Sequence, residues 1–273
     1  MTIGRRDERR AAAPKALAPP WGDSPQDKGG TVTPVADVWV YLAASPLMWL
    51  TLTLAAYIAA FALYEGSKFN PLVNPVAIAV LALVAILLAT RTPYATYFEG
   101  AQFVHFLLGP ATVALAVPLY EQIPKLRRAW FALAIGLLVG VVVAMVSALF
   151  IAWLLGASTA TIASLAPKSV TTPVAMGISE KIGGIPSLTA VVVVLTGIVG
   201  AVLGRFVFDA LGVKSHAVRG FAIGLAAHGQ GVARAFIVSN EAGAFAGLAM
   251  GLTALATALL APLLAPWLIA LLS

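Results

Sequence analysis

Apolar residues along this chain come in runs of about 20, separated by short polar or Pro/Gly-rich stretches, the length needed to cross a bilayer as a helix. Eight such runs follow one another: 41–64, 71–89, 103–120, 130–155, 159–176, 187–208, 218–238 and 245–272. None shows the alternating segments of about ten residues expected of a membrane barrel. The pattern predicts an all-α polytopic membrane protein with about eight hydrophobic segments. Before it, residues 1–38 carry no apolar period and read as a disordered cytoplasmic tail. The transmembrane domain is then 39–273.

Several runs are interrupted. Gly109 and Pro110 fall inside the third. Residues 166–176 of the fifth read Ala-Pro-Lys-Ser-Val-Thr-Thr-Pro-Val-Ala-Met. Gly229, Gln230 and Gly231 fall inside the seventh. A proline within a helix removes a hydrogen bond and clashes with the carbonyl four residues back. In lipid, backbone freed in this way survives only inside protein or beside a water-filled cavity. Gly109 and Gly229 also suggest a faint internal repeat, because each break is followed by a short acidic loop, Glu121 or Glu241, and a long apolar span. Paired interruptions of this kind point to a transporter site at a repeat interface.

Loop charges cannot all be satisfied by eight simple spans. Lys125, Arg127 and Arg128, then Lys214 and Arg219, then the tail, are each expected on the cytoplasmic side. The conflict predicts that a segment enters and leaves on one side, or that an extra span lies near 94–101.

Composition narrows the function. The chain is 60% hydrophobic and 10% charged over 273 residues. Eleven of the charged residues precede Val38. Cysteine is absent, which removes thiolate nucleophiles and cysteine metal sites. No zinc helix, phosphate loop or nucleophile elbow is present, so the chain does not read as an enzyme, and no cofactor or metal is expected. Arg5, Arg6, Arg9 and Arg10 fit anionic lipid headgroups better than nucleic acid.

The candidate site is built from the breaks. Lys168 places a charge near membrane depth, which suggests function by default. Pro167 frees backbone amides, and Ser169, Thr171 and Thr172 add hydroxyls. Together they suit a carboxylate. The competing reading is a surface loop with Lys168 snorkelling to water. From the second break, Arg234 can clamp a carboxylate with parallel hydrogen bonds or anchor a span end. His228 can carry a proton near neutral pH or simply donate to a carbonyl. Glu180 is a second candidate proton carrier on a loop. His105, Arg205 and Arg219 read as interfacial anchors.

The chain resembles the LrgB/CidB family. The resemblance rests on residues 97–101, 106–120, 166–176, 183–189 and 224–234, and covers roughly 45–273. It departs from the usual pattern after His228, where Gln230, Gly231 and Val232 replace an aliphatic residue, Gly and Thr. Two functions are implied. Relatives are linked to transport of glycolate, glycerate or pyruvate. Bacterial members are described as antiholin-like regulators of murein hydrolases that work with a small LrgA/CidA-like membrane protein.

The expectation drawn from both lines is a secondary transporter of small monocarboxylates of the glycolate, glycerate, lactate or pyruvate type in the inner (plasma) membrane, with proton coupling through His228 or Glu180. The alternative is the holin/antiholin-like regulator. Expected partners are a small carboxylate, the bilayer, the LrgA/CidA-like protein and further copies of the chain.

Overall fold

The computed structural model describes residues 45–272, so the 1–38 tail lies outside the described residues. These residues form helices α1 (Pro46–Gly66), α2 (Pro75–Thr90), α3 (Tyr94–Phe106), α4 (Leu108–Ala114), α5 (Ala116–Glu121) and α6 (Ile123–Leu154). They continue through α7 (Thr159–Leu165), α8 (Thr172–Lys181), α9 (Pro186–Ala210), α10 (His216–Val238) and α11 (Asn240–Leu272). No strand occurs among them. The chain is an all-α polytopic membrane protein.

Proline marks both starts and stops. α1, α2, α6, α8 and α9 each carry it in their first two positions, where the missing N–H costs nothing. In the third apolar run, α3 ends at Phe106, four residues before Pro110, and α4 ends at Ala114, four before Pro118. Those are the carbonyls that each ring excludes. The interruption expected at Gly109 therefore falls at Leu107 and Leu115, and Gly109 itself is helical.

Two segments fold back instead of crossing. The first is α7 and α8. Ser164 and Ser179 lie on different limbs, yet both meet Thr189: its hydroxyl is 3.0 Å from the Ser164 carbonyl and 2.7 Å from Ser179 Oγ. Ser164 Oγ also accepts from the Ile185 N–H at 2.7 Å. The chain thus leaves α6, dips inward, turns at 166–171 and returns to the start of α9.

α10 has the length of a span but is a second hairpin. His228 takes φ 41 and ψ −132, outside any helical region. Beyond it, Gly231 packs directly on the Ile223 carbonyl. In a straight helix these residues stand about 12 Å apart. One limb runs from His216 to Ala227 and the other from Gly229 to Val238. Gly220 and Gly224 of the first limb meet the backbone of Ala242 and Ala246, so α11 runs parallel to that limb. Only glycine allows this approach.

α9 lies between the hairpins and fixes their relation. Its N-terminal end follows the first hairpin, and its C-terminal end leads into the second, so the two enter from opposite ends of the bundle. Among the described residues, α1, α3–α5, α6, α9 and α11 are long and apolar enough to cross a membrane, α2 is a shorter apolar helix of 16 residues, and the remaining two apolar runs form the hairpins. The breaks at 166–171 and at His228 thus stand opposed, while Gly109, which the sequence pairs with Gly229, lies within a helix.

The loop charges follow from this topology. Lys125 bonds Glu241 at 2.9 Å, placing the starts of α6 and α11 at one end. Lys214 and Arg219 sit at that same end, as the positive-inside rule requires. The arginines at 5–10 are more than 30 residues from Pro46, and only charges within about 15–20 residues of a span end weigh strongly.

Candidate functional site

The two hairpin tips meet halfway along α9. At the first tip, Lys168 N–H donates to Leu165 O at 3.2 Å and Val170 N–H to Pro167 O at 3.2 Å, so the chain reverses in tight turns. Pro167 and Ser169 are buried. Thr171 occupies the N-cap position of α8 but makes no side-chain cap, and Pro173 removes one first-turn donor. Thr171 and Thr172 are half-buried at that helix start.

Lys168 turns into a cavity of about 440 Å³, shared with Ser169, Thr196, Gly200, Leu225 and Ala226. Its ammonium lies 3.5 Å from Ser169 Oγ. No carboxylate among the described residues lies within ion-pair distance of it. An ammonium among apolar walls without a counter-ion is costly, and an anionic ligand relieves that cost.

At the second tip, His228 is buried. Its Nε2 lies 2.9 Å from the Val193 carbonyl. A carbonyl can only accept, so Nε2 carries the hydrogen and the neutral ring presents Nδ1 as acceptor. Gln230 Nε2 donates to Val194 O at 3.3 Å, while Gln230 Oε1 is buried without a partner. Both side chains fit because α9 is glycine there: a Cβ at Gly197 would meet His228 Nε2 at 2.9 Å and Gln230 Cδ at 3.0 Å. His228 and the Lys168 cavity meet the same stretch of α9, the first at Val193 and Gly197 and the second at Thr196 and Gly200. α9 is 25 residues long, and Val193 to Gly197 lie near its middle, so both tips sit at mid-depth.

The structure brings together Pro167, Lys168, Ser169 and His228, with Thr171 and Thr172 on the adjoining turn. Arg234 is elsewhere. It lies over the Tyr64 ring at 5.6 Å and donates to Phe69 O at 3.4 Å. Glu180 is exposed near the outer end of the first hairpin, away from the tips. Gly229 adjoins the break at His228, and Gly231 closes the limbs. The His105 side chain lies outside the described residues. Sequence reasoning missed Thr196, which lines the Lys168 cavity, and Thr253 of α11, whose buried hydroxyl has no partner. A threonine inside an apolar run carries no signal of its own, because its hydroxyl is normally satisfied by the preceding turn. No cluster of three potential metal ligands occurs among the described residues.

Comparison with known proteins follows this geometry. The model of the LrgB-like family matches residues 53–267. YwbG of Bacillus subtilis is 37% identical over 201 residues, covering 74% of this chain and 89% of that one. A protein of Haemophilus influenzae is 36% identical over 177 residues, 65% of this chain and 77% of that one. A Bacillus mycoides protein named antiholin-like protein LrgB is 31% identical over 206 residues, 76% of this chain and 90% of that one. No solved structure matches.

Proposed function

The chain belongs to the LrgB-like family, and we propose that it moves small monocarboxylate anions of the glycolate, lactate or pyruvate type across the inner membrane. The observation that carries this reading is the Lys168 ammonium, held at mid-depth in a cavity without a counter-ion, where two opposed hairpins meet. Irregular backbone at membrane depth, on broken helices related by inversion, is the arrangement that transporters use for a central site. Lys168 and Ser169 bind the carboxylate, and the uncapped start of α8 adds a positive dipole end. His228 Nδ1 supplies a proton-accepting position beside it. No covalent step is assigned to the chain.

A second reading has its own support. Relatives in Bacillus mycoides and Bacillus cereus are named antiholin-like protein LrgB, and on the comparisons alone an antiholin-like regulator is better supported than a transporter. A small LrgA/CidA-like membrane protein is the partner it requires.

Uptake of labelled glycolate and pyruvate into proteoliposomes carrying the purified chain separates the two. Saturable uptake above empty liposomes supports transport. No uptake of any monocarboxylate, together with altered murein hydrolase activity on deletion of the gene, leaves the regulator.

A further inference from the structure

A second cavity, of about 280 Å³, opens at the basic end of the bundle between the last turns of α9 and the mouth of the second hairpin. Three arginines reach it: Arg205 from α9, Arg219 from the first limb and Arg234 from the second. One carboxylate, Asp209, faces them. It lies 2.6 Å from Arg219 Nη2 and 3.6 Å from Arg205 Nε. Arg219 Nε is spent on the Val213 carbonyl, and Arg234 Nη1 on Phe69 O. Each guanidinium carries five donors, so most remain free. Three positive groups against one negative leave the cavity with an excess of two charges. Phe208, Ile223 and Val238 supply apolar walls, against which charge interactions are stronger than in water.

Arg234 and Ala201 also line a smaller cavity of about 50 Å³ that reaches Gln230, two residues from the hairpin tip. Arg234 therefore stands between the basic mouth and the buried, unpartnered Gln230 Oε1. None of these residues lines the Lys168 cavity.

We propose that Arg205, Arg219 and Arg234 form a second oxyanion site, separate from Lys168, that holds a carboxylate or phosphate at the mouth of the second hairpin. The planar fork of each guanidinium matches both groups in two-point contact. The anion has two sources, a free carboxylate approaching from the aqueous side or the headgroup phosphate of an anionic lipid. The site stands on its own residues and does not require that Lys168 bind substrate.

The test uses the full chain purified in a neutral detergent, with two probes at low salt: labelled glycolate by equilibrium binding, and phosphatidylglycerol by retention in native mass spectrometry. The double variant Arg205→Gln with Arg234→Gln should weaken at least one probe by about tenfold, as expected when charge-assisted bonds are lost. Lys181→Gln, exposed at the other end, should change neither. Lys168→Ala should keep whichever component the arginine variant removes. Loss of glycolate alone identifies a free carboxylate, and loss of phosphatidylglycerol alone a lipid headgroup; either supports the site. Both probes unchanged in the double variant, or one component lost equally in the Lys168 and arginine variants, overturns it. If the double variant does not purify, Arg205→Gln alone, at an exposed position, carries the same comparison. Absence of monocarboxylate uptake by the unsubstituted chain would overturn the transport reading, and normal uptake by Lys168→Ala would remove Lys168 from its site; neither touches the arginine site.

Discussion

His228 and Val193 are 35 positions apart in sequence, and their hydrogen bond of 2.9 Å pins the tip of one re-entrant hairpin to the middle of α9. The bond fixes the imidazole tautomer and the depth of the break together. It also sets the ring against the stretch of α9 that lines the Lys168 cavity.

The first prediction concerns Lys168. Lys168→Ala should abolish monocarboxylate uptake while the protein inserts at normal levels. Lys168→Arg should also impair it, because a planar fork does not replace a compact ammonium in a tight turn. Uptake normalised to protein in the membrane is the measurement. Wild-type turnover by Lys168→Ala would remove the central residue of the proposed site.

His228 adopts a positive φ that glycine tolerates and other residues resist. His228→Gly and His228→Ala both lose the bond to Val193, but only alanine keeps the strain, which is about 1–3 kcal/mol for such conformations. His228→Gly should therefore unfold at the higher temperature of the two in detergent. The reverse order would mean that the break is not where it is drawn here.

Two neighbouring glycines should respond oppositely. A Cβ at Gly229 meets nothing within 4 Å, whereas one at Gly231 runs into the Ile223 carbonyl. Gly229→Ala should be neutral or slightly stabilising, by up to about 1 kcal/mol. Gly231→Ala should destabilise by roughly 2 kcal/mol or more, since backbone cannot yield as a side chain does. Thermal unfolding of the two variants side by side decides it; equal midpoints would argue against closed limbs.

Thr189 holds the first hairpin to α9. Its single hydroxyl proton has three acceptors in reach: Ser164 O, Ser179 Oγ and Ile185 O. Thr189→Val keeps the shape and removes the donor in a fully buried place, so stability should fall by about 1–3 kcal/mol. Thr189→Ser should recover most of it. Failure of serine to rescue would mean that the methyl group, not the hydroxyl, does the holding.

The absence of native cysteine makes the topology directly testable. Lys214→Cys and Asn240→Cys flank the second hairpin and should label from one and the same side with a membrane-impermeant maleimide. A continuous span would place them on opposite sides. Ala157→Cys and Lys181→Cys, flanking the first hairpin, should also share a side, opposite to the first pair.

The sequence by itself determined the class of molecule and the places where helices fail. Apolar runs of span length, with so few charges among them, have no stable home except lipid. A proline inside an apolar run weakens the helix at the carbonyl four residues back, so breaks near Pro110 and around Pro167 were legible in the chain, although α11 continues through Pro262 and Pro266. So was the unusual placement of Lys168. Loop charge also pointed to a segment that re-enters or to an extra span near 94–101.

What the sequence did not contain was direction. The run 218–238 has the length and hydropathy of a crossing helix, and hydropathy is blind to whether the chain continues past His228 or doubles back. That was decided by contacts between distant residues: Gly231 on Ile223, and Gly220 and Gly224 on Ala242 and Ala246. The same packing separated Arg234 from Lys168, although both had looked like parts of one carboxylate site. It also gathered Arg205 and Arg219, which read singly as interfacial anchors, around one cavity. Charge and hydropathy are properties of each residue, whereas a site depends on which residues the glycine faces allow to approach. Only the folded backbone sets those distances.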